Sequence, residues 1–92
     1  MFDIAAIGEL LIDFTPCGQD AAGDLCFARK PGGAPANVLV AAARLGARCA
    51  FIGKVGEDAF GHFLAQVLEE QHVDPSGLRF DANIPTTLAF VT

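Results

Sequence analysis

The residues of this sequence whose types and spacing suit recognition chemistry are Asp13, Gly32, Gly33 and Asn37. Gly32 and Gly33 stand in the stretch Pro31-Gly32-Gly33-Ala34-Pro35-Ala36-Asn37, where two glycines allow a tight turn and bring bare N–H groups close to another molecule. Pro35 suits the first position of a helix, which places Asn37 in the first turn beside unpaired backbone donors and the positive helix end. Asp13 closes an apolar run and is expected just past the end of a buried strand, where ligands of open parallel sheets sit. Nothing in the glycine turn is a nucleophile or a base. The chemistry on offer is the holding of a polar ligand. Each residue alone also has a plainer reading: two glycines make an ordinary turn, Asp13 caps a loop, and Asn37 bonds backbone within its own turn.

The elements that must position these residues follow from hydrophobic pattern. Ile4 to Ile12 reads as a first buried strand, Cys17 to Asp24 as a small, polar turn or loop, and Leu25 to Arg29 as a second, more exposed strand. A helix is expected from Pro35 to Leu45, apolar almost all round and so buried on most sides, with Gly46 as its C-cap. Cys49 to Ile52 reads as the next strand, and strand, helix, strand at this spacing implies a parallel sheet and an α/β fold. Gly53-Lys54-Val55-Gly56 reads as a second glycine turn, with Asp58 capping an amphipathic helix whose apolar face is Phe60, Phe63, Leu64, Val67 and Leu68. Asp74-Pro75-Ser76-Gly77 is expected as a turn, Leu78 to Phe80 as a short strand, and Thr87 to Thr92 as the last strand.

Several function classes are disfavoured. The motif Gly-x-x-x-x-Gly-Lys-Ser/Thr is missing, since six residues separate Gly46 from Gly53-Lys54 and Val55 follows. Gly53-x-x-Gly56 is not a dinucleotide fingerprint either. The net charge of −5 with six scattered Lys and Arg argues against a nucleic-acid face. His62 and His72 have no partners at metal-ligand spacing, so no metal site is expected. Cys17, Cys26 and Cys49 are odd in number without Cys-x-x-Cys spacing, which reads as free thiols in a reducing cytoplasm. The N-terminus lacks a signal-peptide pattern, and no apolar stretch suits a membrane span. The chain is 52% hydrophobic and 18% charged and ends in an uncapped strand, so surface covered by further protein is expected.

Three blocks in order, Gly8-Glu9-Leu10-Leu11-Ile12-Asp13-Phe14, then Pro31 to Val38 with Ala41 to Gly46, then Gly53 to Gly61, resemble the N-terminal part of the ribokinase-like, PfkB-type carbohydrate kinases. Gly-Glu-x-x-Ile-Asp-Phe-x-Pro with Gly-Gly-Ala-Pro-Ala-Asn, and Pro85 to Val91, are similar to the fructokinase branch. The resemblance covers residues 1–92 and implies the N-terminal part of one doubly wound α/β sheet with a small β lid over the sugar. It implies lid strands at Leu25 to Arg29 and from Thr86 onward, and sugar contacts at Asp13, Gly33 and Asn37, with Gly32 in the same turn.

The family reaction moves the γ-phosphoryl group of ATP, with Mg²⁺, onto a sugar hydroxyl. Its aspartate base and glycine N–H groups belong to a Gly-Ala-Gly-Asp type motif toward the C-terminus, which residues 1–92 do not contain. No catalytic residue is therefore assigned in this chain, and by itself it is expected to bind neither ATP nor Mg²⁺. A homodimer through the lids of the complete enzyme is a further implication of the resemblance. Ribose, 2-keto-3-deoxygluconate or a nucleoside stand as alternative substrates, and a non-catalytic sugar-binding or interaction fragment as the alternative class.

Overall fold

The computed structural model describes residues 1–91. Its first two strands belong to different sheets. β1 (Ile4–Ile7) ends where Gly8 donates its N–H to the Ile52 carbonyl at 3.1 Å, and β2 (Leu11–Gln19) begins after Leu10. The single strand expected from Ile4 to Ile12 is therefore two, and Asp13 lies inside the second instead of beyond the first. The break falls at a close approach, where a Cβ on Gly8 would meet the Pro35 ring at 2.6 Å. Here the chain passes over the start of a helix and changes sheets.

β3 (Leu25–Gly32) returns antiparallel to β2, after a turn in which Asp20 Oδ1 accepts from the Ala22 and Asp24 N–H groups at 2.9 and 3.0 Å. The turn is shorter than the stretch from Cys17 to Asp24 because β2 runs on to Gln19. α1 (Ala34–Arg44) follows at once, with Pro35 at its second position. Its buried residues are Ala36 and Leu39, whereas Val38 is 64% exposed. This helix is covered on one side, not on most.

β4 (Cys49–Gly56) is twice the expected length and includes Gly53-Lys54-Val55-Gly56. Those glycines serve packing: a Cβ at Gly53 would meet the Phe51 ring at 2.6 Å and the Gly8 carbonyl at 2.8 Å, while Val55 joins the core. α2 (Ala59–Glu70) is capped by Asp58 as expected, and its Leu64 and Leu68 are buried. β5 (Val73–Asp81) absorbs Asp74-Pro75-Ser76-Gly77, which was expected as a turn. Pro75 is tolerated because β5 lies at a sheet edge and its pairing with β4 shifts register between Ala50 and Ile52. β6 (Leu88–Phe90) is the last element; of the strand expected from Thr87 to Thr92, Thr92 lies outside the described residues.

The strands form a parallel sheet in the order β1-β4-β5 and a second sheet in the order β3-β2-β6. Cys49, Phe51 and Val55 of β4 share one core with Leu39 of α1, Leu64 and Leu68 of α2, and Ile12 of β2. The helices and the β3-β2-β6 sheet thus converge on one face of β4. The opposite face is open, since Ile7 and Ile52 are partners across the β1/β4 ladder yet 78% and 43% exposed. No helix among the described residues is long and apolar enough to cross a membrane.

Candidate sugar-binding site

Side chains alternate across a strand, so the buried Ile12 and the half-buried Phe14 face the core from β2 while Asp13 faces the other way. Phe14 fixes that orientation by meeting Phe60 of α2 edge-on at 5.7 Å and stacking on Phe90 of β6 at 5.1 Å. Asp13 stands opposite Lys30 of β3 and Ala89 of β6 in the ladder. It is half-buried, and its carboxylate makes no hydrogen bond or ion pair with the described residues. A half-buried carboxylate with all its acceptor sites free is suited to hydroxyl groups supplied by a ligand.

Gly32 and Gly33 bring the backbone to this carboxylate. Gly32 is buried at the end of β3, and a Cβ there would collide with Asp13 Oδ2 and approach Leu11 Cδ1 at 2.7 Å. The missing side chain is the space that the carboxylate occupies. Gly33 has φ 112°, a conformation that side-chain-bearing residues rarely adopt, and a Cβ would strike the Glu9 carbonyl oxygen. As the N-cap of α1, Gly33 offers no side chain to the first-turn donors, and its carbonyl accepts the Asn37 N–H at 3.1 Å. Asn37 is the fourth residue of α1, and its side chain is exposed.

Asp13 and Gly32 are therefore in contact, Gly33 follows Gly32 directly, and Asn37 is bonded to Gly33 through the backbone. Asn37 and Gly32 also edge a hollow of about 150 Å³ between α1 and α2, walled by Leu10, Val40, Leu64 and Val67. Asp13 does not line it, and Arg44 closes one end by donating to Gln71 Oε1 at 3.2 and 3.3 Å. Apolar walls and an occupied polar end make this a packing gap. The Asp13 carboxylate and the Gly32 backbone lie instead on the outer face of the β3-β2-β6 sheet.

Sequence reasoning missed two features here. Lys30 shares the Asp13 face, which becomes visible only with the β2/β3 register. The Glu9 carbonyl buttresses Gly33. His62 pairs with Glu57 at 2.6 Å and stacks on Phe80 at 4.4 Å on the exposed side of α2.

Comparison with known proteins agrees with this architecture. Residues 1–92 match the pfkB family of carbohydrate kinases. A probable fructokinase-7 of Arabidopsis thaliana is 54% identical over 91 residues, which are 97% of this chain and 26% of that protein. The crystal structure of a fructokinase from Xylella fastidiosa superposes with a TM-score of 0.90 at 40% identity, over 97% of this chain and 28% of that one. A fructokinase from Vibrio cholerae O395, in a form bound to fructose, ADP and calcium ion, gives a TM-score of 0.85 at 42% identity over 96% of this chain and 27% of that one. The chain thus spans about a quarter of the length of its relatives, and corresponds to their N-terminal portion. By this match over its whole length, and with an α/β fold shared with ribokinase-like fructokinases, the chain belongs to the pfkB family of carbohydrate kinases.

Proposed function

We propose that this chain is the sugar-recognising portion of a fructokinase, in which Asp13, Gly32, Gly33 and Asn37 hold the sugar for phosphorylation by ATP and Mg²⁺. The observation that carries the reading is the Asp13 carboxylate, without a hydrogen-bond partner among the described residues and lying against the bare backbone of Gly32. In this role Asp13 accepts from two sugar hydroxyls, the Gly33 N–H donates, and the Asn37 amide does both. Such a set discriminates steeply among sugars, because a sugar lacking the right hydroxyl leaves a polar group of the site unpaired.

In this reading the described residues do not supply the nucleotide–metal site. No group of three His, Cys, Asp or Glu side chains among them is arranged to hold a metal ion, and neither glycine segment carries a phosphate-loop pattern. ATP and Mg²⁺ are assigned to other parts of the complete enzyme, and no chemical step is derived through them. The same reading puts the enzyme in the cytoplasm, in keeping with three free thiols, and pairs two copies through their lids. It assigns no nucleic-acid or membrane partner.

Titration of D-fructose, with ribose as comparator, into the complete kinase and its Asp13→Ala variant tests the proposal. Saturable fructose binding that the variant loses supports it; fructose binding unaffected by the substitution refutes it. A second reading rests on Lys30, which faces the same side as Asp13 and forms no ion pair among the described residues. An ammonium there suits a sugar acid such as 2-keto-3-deoxygluconate, and tighter binding of that acid than of fructose would favour it.

A further inference from the structure

We infer that Thr86 and Asp58 are positioning residues for the sugar site, tying the lid to the parallel sheet at one buried polar knot. Thr86 is the one buried polar side chain among the described residues, 4% exposed. Its hydroxyl donates to Asp58 Oδ1 at 2.6 Å and accepts the Gly56 N–H at 3.0 Å, while its own N–H donates to Asp58 Oδ2 at 2.9 Å. Asp58 Oδ1 also accepts the Gly61 N–H at 2.8 Å. The knot therefore joins the end of β4, the start of α2 and the segment leading into β6.

Its packing leaves no slack. A Cβ on Gly56 would collide with Asp58 Oδ2 and the Thr86 nitrogen, and a Cβ on Gly61 would collide with the Gly56 carbonyl oxygen. From Thr86 the chain passes straight into the lid: the Thr87 carbonyl accepts the Ile12 N–H at 3.0 Å, and Leu88, Ala89 and Phe90 pair with Ile12, Asp13 and Phe14. The Val91 N–H then donates to the Phe14 carbonyl at 2.9 Å. The strand carrying Asp13 is held on one side by β3 and on the other by a three-residue strand whose starting point the knot sets. Such a short strand has little register preference of its own. A shift at Thr86 is therefore transmitted to the rung of Asp13.

The inference rests on the proposed role of Asp13 as a sugar ligand. Its test uses the complete kinase with Thr86→Val, which removes both hydroxyl bonds at nearly constant shape, Thr86→Ser, which retains them, and Asp58→Asn, which keeps the Gly61 contact but replaces the acceptor facing the Thr86 N–H. Steady-state kinetics for both substrates, with amide hydrogen exchange over residues 11–15 and 88–91, are the readouts.

Thr86→Val is expected to raise the sugar KM by about tenfold with the ATP KM within about twofold, and to speed lid amide exchange by at least about tenfold. Thr86→Ser restores wild-type values, and Asp58→Asn shifts the sugar KM in the same direction by less. Equal damage to both substrates, or a lowered melting temperature with the sugar KM unchanged, overturns the inference. Asp13→Ala serves as the reference. If it abolishes sugar binding while Thr86→Val leaves the sugar KM alone, the positioning role falls and the reading of the site stands; if Asp13→Ala also has no effect, the reading of the site falls with it.

Discussion

Asp13 and Asp58 are both half-buried carboxylates, yet the fold uses them in opposite ways. Asp58 accepts from the Gly61 N–H and from the N–H and hydroxyl of Thr86 at 2.6 to 2.9 Å, so its capacity is taken up inside the protein. Asp13, on the face of the β3-β2-β6 sheet turned away from the core, accepts from none of the described residues and lies against a glycine that gives it room. A carboxylate whose partners are internal stabilises the fold, whereas one that no protein group engages keeps its acceptor sites available to a ligand that displaces water. On the proposed reading of Asp13, the contrast separates anchoring from recognition within one small α/β unit.

The largest effect is expected from breaking the recognition half. Asp13→Ala removes two charge-assisted acceptors and should lower kcat/KM for the sugar by roughly 10² to 10⁴, with stability changed by less than about 0.5 kcal/mol. Sugar kinetics and a denaturation curve on the same preparation check both halves of that statement. Gly61→Ala tests the anchoring half, since its Cβ would collide with the Gly56 carbonyl oxygen in the first turn of α2. The expected cost is about 1 to 3 kcal/mol in urea unfolding. Asp58→Ala should cost about 1 kcal/mol as a lost cap, and more to the extent that the Thr86 groups are left unpaired. A stability loss from Asp13→Ala as large as that from Asp58→Ala would erase the contrast.

The two aspartates also differ in how far the sequence reveals them. Asp58 was legible as a cap because the signal is local, a helix-capping residue directly before an apolar period of Phe60, Phe63, Leu64, Val67 and Leu68. Its second role was not, because Thr86 lies 28 residues away and only the fold brings them together. Asp13 was found as a ligand candidate, but its strand was misplaced: the apolar run from Ile4 to Ile12 is continuous enough to hide the change of sheet after Gly8. Glycine carried the same ambiguity at Gly53 and Gly56, where close neighbours and not a turn require it. In β5, Asp74-Pro75-Ser76-Gly77 has turn composition inside an edge strand, and local propensity yields there to the pairing with β4. The exposed side of α1 was misread for a different reason. An apolar stretch of sequence does not say which face the rest of the structure covers, and Val38 stays exposed.

The finest test of the comparison is its dependence on pH. The hydroxyl and N–H of Thr86, the largest influences, hold the Asp58 carboxyl below the ordinary aspartate value of 3.8 against a smaller opposing effect of burial, with the Gly61 and Phe60 N–H groups adding lesser pulls in the same downward direction. A folded-state pKa below the unfolded one means that the native protein favours the ionised form. The stabilisation is then complete above the unfolded value and is lost as pH falls through the folded one. Melting temperatures of the wild type and Asp58→Asn should accordingly differ by a constant amount at neutral pH and converge as the pH drops below 3.8. Asp3 supplies the internal control: the exposed Arg48 guanidinium at 3.1 Å also lowers its pKa, but solvent screens that pair, so Asp3→Asn should leave the melting temperature within error across the same range. Convergence for Asp58→Asn with a flat response for Asp3→Asn would place the acid sensitivity of the fold at the Thr86 knot. Parallel curves for both would show that the knot contributes no more than a surface ion pair.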